Sequence, residues 1–243
     1  MQKPVKNWYS DWFDTPFYHI LYQDRDHKEA GLFMDRLTSY LQLPSNGSIL
    51  DLACGKGRHS IYLNALGFEV TGVDLSENSI AYAKQFENDT LHFARHDMSK
   101  PYPEKFDAVF NLFTSFGYFE KDENNLNTIK SIKAALKPNG TAVIDFLNVN
   151  YVEKHLVPEE IKWIDGIEFH IRRYLEDQYI FKTIDFQHKG ESYHFTERVK
   201  ALRFQDFKVY FEEANAQLLT AFGNYSLHDF HENTSERLIL VFR

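Results

Sequence analysis

A single cysteine, Cys54, occurs in 243 residues, so no disulfide can form within the chain. That usage fits a reducing compartment, where stability must come from a packed core. No apolar run approaches the ~20 residues that a helix needs to cross a bilayer. The first ten residues, MQKPVKNWYS, lack the apolar centre of a signal peptide, and the expectation is a soluble, cytoplasmic protein. Positive charge is also scarce: 27 Lys and Arg stand against 35 Asp and Glu, a formal net charge of −8. Such a balance argues against extended phosphate binding, because nucleic-acid affinity rests on many Lys and Arg contacts. Eleven histidines show no paired spacing of the His-x-x-x-His kind beside an acid, so no metal is expected. No internal repeat or low-complexity tract is visible. Aromatics, by contrast, are plentiful, with 22 Phe and 14 Tyr. That is more than enough for a core, and the surplus is suited to walling an apolar substrate pocket.

The chain is organised around Ile49 to Ser60, ILDLACGKGRHS. An apolar strand ending at Asp51-Leu52 runs into a tight turn carrying Gly55 and Gly57, and a helical stretch closed by Gly67 follows. Strand, glycine turn and helix bring bare backbone N–H groups and a helix N-terminus up to a ligand. The next strand, Phe68 to Leu75, ends in Asp74, seventeen residues past Gly57. A carboxylate placed there binds the ribose in a nucleotide-type strand–helix–strand unit, so the pattern points to an adenosine-like ligand.

Three further features sharpen this reading. Asp51 precedes Gly55 by four residues, Gly57 completes Asp51-x-Ala53-x-Gly55-x-Gly57, and a strand from Leu91 to Ala94 leads into Arg95-His96-Asp97-Met98. Together they resemble the class I S-adenosylmethionine-dependent methyltransferases, whose first motif is acid-x-Gly-x-Gly-x-Gly. The resemblance covers about residues 45 to 150, and Ala53 in place of the first glycine is its plain departure. The NAD-binding fingerprint fits less well, since Ser60 stands where its last glycine belongs and Asp51 would have no role.

Periodicity orders the rest. Residues 7 to 25 read as aromatic-rich and irregular, with Pro16 breaking any helix. They are either packed on the core or, as the resemblance implies, a flap over the cofactor carrying Phe13, Tyr18, His19 and Tyr22. An amphipathic helix spans His27 to Leu41. Ser76 is placed to cap the helix through Phe86, a fourth strand spans Phe106 to Leu112, and a helix spans Lys121 to Leu136. Lys137-Pro138-Asn139-Gly140 reads as its stop, before a fifth strand from Thr141 to Asn148. Strands alternating with helices imply a parallel sheet covered on both faces. Residues 160–174, 177–188 and 192–203 read as a three-stranded antiparallel meander. A helix from Phe204 to Ala216 follows, with Phe207, Val209, Tyr210 and Ala214 on its apolar side, and then strands at Gln217 to Ser226 and Arg237 to Phe242.

The resemblance therefore implies an α/β, Rossmann-like, doubly wound sheet of seven strands, mostly parallel with one antiparallel strand. It reads as one methyltransferase domain over 1–243: N-terminal flap and helix 1–44, cofactor-binding core 45–150, antiparallel β insertion 160–203, and closing helix and strand pair 204–243. The insertion is expected to cap the active site or to make a homodimer contact.

The same resemblance assigns roles toward S-adenosylmethionine, with S-adenosylhomocysteine as product. Ala53, Cys54, Gly55 and Gly57 pass their backbone along its amino-acid end, and Asp51 receives the ammonium. Asp74 accepts the ribose hydroxyls, Leu75 lies on the adenine face, and Asp97 with the Met98 amide meets the adenine edge. Asn111, Phe113 and Thr114 run under the methionine portion. Arg58 either reaches a carboxylate or lies on the surface; His59 is either a satisfied core residue or a contact near the cofactor. Transfer from a sulfonium is an in-line displacement that needs a base only when the acceptor arrives protonated. Tyr22 and Tyr118 are the weak catalytic candidates, with His170, His188 and His194 behind them.

The acceptor is approached by exclusion. The Asn-Pro-Pro-Tyr type tetrapeptide of many amino-methylating nucleic-acid enzymes is absent, Asn111-Leu112-Phe113-Thr114 standing in its place. Pyrimidine C5 methylation needs a cysteine nucleophile, and Cys54 lies in the glycine turn. A small-molecule acceptor methylated at N or O is expected. The alternatives are RNA or protein methylation, a non-catalytic S-adenosylmethionine-binding protein, and an NAD-dependent oxidoreductase.

Overall fold

The computed structural model describes residues 12–23 and 27–243, so residues 7–11, 24 and 25 of the expected flap lie outside the described residues. Its contacts divide the chain into two compact units. Asp26–Tyr151 joins Leu202–Arg243, while Val152–Ala201 joins the segment before residue 26. The helix expected to belong with the N-terminal flap is therefore part of the larger unit, and the insertion begins earlier than residue 160.

The larger unit is built on a seven-stranded sheet. Its strands are β1 (Ser48–Leu52), β2 (Glu69–Asp74), β3 (Leu91–Arg95), β4 (Phe106–Asn111), β5 (Leu136–Leu147), β10 (Leu218–Phe222) and β11 (Arg237–Phe242), in the order β10-β11-β5-β4-β1-β2-β3. Strands β1 to β5 pair in parallel, and β11 runs antiparallel to both β5 and β10. Strands this apolar suit burial on both faces, and Ile49, Val70, Phe93, Ala108, Phe110, Val143, Ile239 and Val241 join one buried cluster. The chain passes from β1 outward to β3, then returns to place β4 on the other side of β1. Ligands bind at such a reversal, beyond the carboxyl ends of the strands.

The helices of this unit follow the expected pattern with local shifts. They are α2 (His27–Tyr40), α3 (Arg58–Ala65), α4 (Glu77–Ala83), α5 (Asp122–Ala134), α6 (Val149–His155), which runs past the unit boundary, and α7 (Phe204–Glu213). Ser76 caps α4, its hydroxyl accepting from the Ser79 amide at 3.0 Å. Helix α5 ends at Ala134, and Lys137 to Gly140 lie within β5. There the register moves from Phe106↔Leu136 to Ala108↔Thr141, so the turn signal is met by an excursion inside a strand, with Asn139 at φ 66°. Helix α6 has no counterpart in the sequence reading. On α7 the buried side is Phe207, Tyr210 and Phe211, and Val209 is exposed, because the helical period brings residue 211, not 209, to the face shared with 207.

The smaller unit is a four-stranded antiparallel sheet, β6 (Glu159–Ile164), β7 (Ile167–Glu176), β8 (Tyr179–His188) and β9 (Glu191–Lys200), with a short helix α1 (Pro16–Leu21). The expected meander had three strands; Asp165-Gly166 divides the first into two. Asp165 and Gly166 take φ of 50° and 76°, the conformation a two-residue hairpin turn requires. Asp177-Gln178 and Lys189-Gly190 also take positive φ at both positions, so all three hairpins share one turn conformation. Pro16 does not break a helix but starts one. It occupies the first helical position, where its missing N–H costs nothing, and the Thr15 hydroxyl caps the turn by accepting from the Tyr18 amide at 3.1 Å. Trp12, Leu21, Ile167, Phe169, Ile171, Ile184 and Phe186 form this unit's own core.

Candidate functional site

Two loops at the carboxyl ends of adjacent strands build the site. The first follows β1. Ala53, Gly55 and Gly57 all take left-handed backbone, at φ 60°, 56° and 79°. The Cys54 amide donates to Val73 O at 3.0 Å, tying the turn to β2, and the Gly57 amide donates to Cys54 O at 3.0 Å. Ala53 carries the cost of that conformation for an L-residue, roughly 1–2 kcal/mol, where the family pattern has glycine.

The two glycines do different work. Among the described residues, a Cβ at Gly55 would meet no atom within 4 Å, whereas one at Gly57 would stand 2.5 Å from the Phe93 ring. Gly57 is thus required by packing of the turn on β3, because a side chain there strikes Phe93. Gly55 is the position whose missing side chain leaves an approach open.

Asp74, at the end of β2, is locked onto this turn. Its Oδ2 accepts from the Gly55 amide and its Oδ1 from the Ser76 amide, both at 2.8 Å. Leu75 beside it is exposed, as an apolar surface for a ring would be. Asp51 is buried, with Ser60 Oγ donating to its Oδ2 at 2.6 Å. Burial pushes its carboxyl up to about 7; the Ser60 hydrogen bond offsets part of that rise and the Asp74 charge adds to it. The Cys54 thiol is likewise held well above its usual value, by burial first and then by Asp51 and Asp74, which removes it as a nucleophile.

The second loop follows β4. Asn111 is buried; its Nδ2 donates to Leu52 O at 3.1 Å and approaches Met98 Sδ at 3.8 Å, while its Oδ1 has no hydrogen-bond partner among the described residues. Phe113 and Thr114 are both left-handed, at φ 58° and 60°. Asp145, fully buried in β5, holds them: its Oδ2 accepts from the Phe113 amide at 2.8 Å and its backbone carbonyl from the Thr114 amide at 3.0 Å. Arg237 pairs with Asp145 Oδ1 at 2.7 Å and donates through Nη2 to Thr114 Oγ1 at 2.8 Å; the Tyr225 hydroxyl donates to Asp145 Oδ2 at 3.2 Å. Burial raises the Asp145 carboxyl above its usual range, the Arg237 charge and hydrogen bond opposing that rise. Tyr118 closes the loop by donating to Thr114 O at 2.7 Å.

Asp145, Arg237 and Tyr225 were not among the residues singled out from the sequence. Asp145 did carry a signal, as the lone charge in the apolar run TAVIDFLN, and Arg237 as the charge opening RLILVF.

His59 stacks on Phe113, centroids 4.2 Å apart and planes at 24°, and its Nε2 accepts from the Arg58 guanidinium at 2.7 Å. Asp97 Oδ1 accepts from the Ser99 amide at 2.9 Å and hydroxyl at 2.8 Å, which rounds the chain after β3 and sets Met98 beside Asn111. Phe13, Tyr18 and Tyr22 belong to the smaller unit. There Tyr18 packs edge-on to Trp12 and Phe13, and the Tyr22 hydroxyl donates to Glu197 at 2.6 Å and meets Lys182. His19 lies edge-on to Tyr18, His188 edge-on to Phe17, and His170 and His194 pair with Glu168 and Asp185 on that unit's exposed strand face.

A model described as a methyltransferase domain matches residues 49–140. The putative methyltransferase YqeM of Bacillus subtilis is 38% identical over 117 residues, 46% of this chain and 47% of that protein. The dTDP-3-amino-3,4,6-trideoxy-alpha-D-glucopyranose N,N-dimethyltransferase of Streptomyces venezuelae is 33% identical over 104 residues, 42% of this chain and 43% of that protein. These alignments span about half the length of the curated relatives. Among solved structures, an S-adenosylmethionine-dependent methyltransferase from Clostridium acetobutylicum superposes with a TM-score of 0.78 at 20% identity, covering 93% of this chain and 95% of that one. Residues 49–140 are accordingly a methyltransferase domain, in a chain that has the fold of the class I S-adenosylmethionine-dependent methyltransferases.

Proposed function

We propose that the chain binds S-adenosylmethionine beyond the carboxyl ends of β1, β2 and β4 and directs its methyl group to a nitrogen, or else an oxygen, of a small-molecule acceptor in the cytoplasm. The observation that carries this reading is the bond at 2.8 Å between Asp74 Oδ2 and the Gly55 amide, which holds a strand-end carboxylate on a turn open to close approach. The other residues fit the same group. Asn111 Oδ1 is a buried acceptor without a partner among the described residues, a costly arrangement that a polar ligand would relieve.

In this reading Asp74 accepts the ribose hydroxyls, Leu75 covers the adenine face, and Asp97 with the Met98 amide meets the adenine edge. The backbone of Ala53, Cys54, Gly55 and Gly57 follows the amino-acid end, with Asp51 toward its ammonium. Asn111, Phe113 and Thr114 form the floor, and Arg58 and His59 flank it. When bound, the cofactor supplies a methyl group already activated on a sulfonium. The chain's own task is then alignment and exclusion of water, worth up to ~7–11 kcal/mol in the best cases. Neither tyrosine candidate is required as a base unless the acceptor arrives protonated. The name of the Streptomyces relative, an N,N-dimethyltransferase of an amino sugar nucleotide, favours nitrogen.

Calorimetric titration with S-adenosylhomocysteine, with NAD as the comparison ligand, tests the reading. Binding of S-adenosylhomocysteine alone is expected, and Asp74→Ala should weaken it by about tenfold or more while leaving the protein folded, since it removes charge-assisted hydrogen bonds. Binding of NAD instead, or unchanged affinity in Asp74→Ala, would overturn it.

A further inference from the structure

We propose that Arg237 is a positioning residue of the cofactor site. Through Asp145 and Thr114 it fixes the loop after β4, and through the Phe113–His59 stack it sets that loop against the glycine turn. This rests on the cofactor reading above. Phe113 and Thr114 are consecutive non-glycine residues in left-handed backbone, a state that persists only where surrounding groups over-determine it. Those groups converge on one guanidinium. Arg237 Nε donates to Asp145 Oδ1 at 2.9 Å and Nη2 reaches the same oxygen at 2.7 Å, while Nη2 also donates to Thr114 Oγ1 at 2.8 Å. The Arg237 backbone is itself fixed, pairing with Leu147 in β5 and donating its amide to Gly223 O at 2.9 Å.

The consequence is transmitted by a side chain. With its backbone held, the Phe113 ring stacks on His59 at 4.2 Å, and Tyr225, whose ring lies under the Arg237 guanidinium at 5.4 Å, backs it at 5.7 Å. His59 is the second residue of α3, two past Gly57. A residue 180 positions along the chain from Gly57 thereby governs how the two cofactor loops face each other. Lysine would keep the charge but lacks the planar fork that serves both partners at once.

Arg237→Lys and Thr114→Val are compared with the unchanged protein in three measurements: thermal melting, the imidazole C–H resonances of His59 by NMR, and calorimetric affinity for S-adenosylhomocysteine. The His59 resonances carry the ring-current shift of Phe113, which stability alone does not move. Both variants should shift them toward the values of an unstacked histidine and lose about tenfold in affinity, the scale of one hydrogen bond to a charged group. If Arg237→Lys fails to fold, Thr114→Val, which removes one methyl-sized acceptor, carries the test. Unmoved His59 resonances, or unchanged affinity, in a folded variant would overturn the proposal. Failure of the unchanged protein to bind would overturn the cofactor reading and with it the role toward the cofactor; the His59 resonances would then decide by themselves whether Arg237 positions the loop.

Discussion

The two loops that meet at the candidate site use the same left-handed backbone and support it in opposite ways. After β1 the conformation is supplied locally: glycine stands at 55 and 57, and only Ala53 carries a Cβ at positive φ. After β4 it is imposed from a distance on a phenylalanine and a threonine by Asp145 in β5 and Arg237 in β11. The first loop can be read in a line of sequence; the second exists only because three strands are neighbours in the sheet. Strain held by glycine is cheap to keep, whereas strain held by a buried ion pair stands or falls with both partners.

That contrast is best broken at Asp145. Asp145→Ala leaves Arg237 charged and largely buried without its carboxylate, and should cost about 3–5 kcal/mol in urea unfolding; a loss below about 1 kcal/mol would mean that the pair does not hold the loop. Next comes Gly57→Val, which drives a branched side chain into the Phe93 ring and a left-handed backbone, with an expected loss of about 3 kcal/mol. Gly55→Ala meets no atom of the described residues within 4 Å and should cost only about 1–2 kcal/mol, its larger effect falling on S-adenosylhomocysteine affinity. Equal stability losses at the two glycines would contradict their different surroundings.

Asp51 sharpens the comparison through pH. Its carboxyl, raised to about 7 in the folded protein from an ordinary value of 3.8, keeps its proton where the unfolded chain has lost it. Its contribution therefore falls as pH rises from about 4 through about 7 and is level above that. The difference in unfolding free energy between the unchanged protein and Asp51→Asn, followed across that window, should show this slope; a flat difference would mean an ordinary carboxyl. The smallest effect is expected for Ala53→Gly, where relief of the left-handed alanine is nearly offset by the greater freedom of glycine in the unfolded chain, leaving about 0.5 kcal/mol or less.

How much of this was readable differs from element to element. The alternation of strands and helices, the Ser76 cap, the glycine turn and the strand-end Asp74 all rest on interactions among residues close in sequence. Asp165-Gly166 was readable too, as a two-residue hairpin turn, but an apolar alternation running across it masked it as one strand. Pro16 was misjudged for a similar reason: proline breaks a helix interior yet suits its first turn, and only the Thr15 cap decides between them.

By itself the sequence determined the sheet-building units, the switch point beyond β1 and β4, and the residues of the first loop of the candidate site, because local periodicity, turn chemistry and missing side chains act over a few residues. Tertiary structure alone decided which partners the buried charges have, why Gly57 must be glycine, and what holds Phe113 and Thr114 in place. Those depend on Phe93 lying against Gly57, and on Arg237 and Asp145 facing each other across paired strands 92 residues apart in the chain. No window of sequence contains such contacts; pairing of the strands creates them.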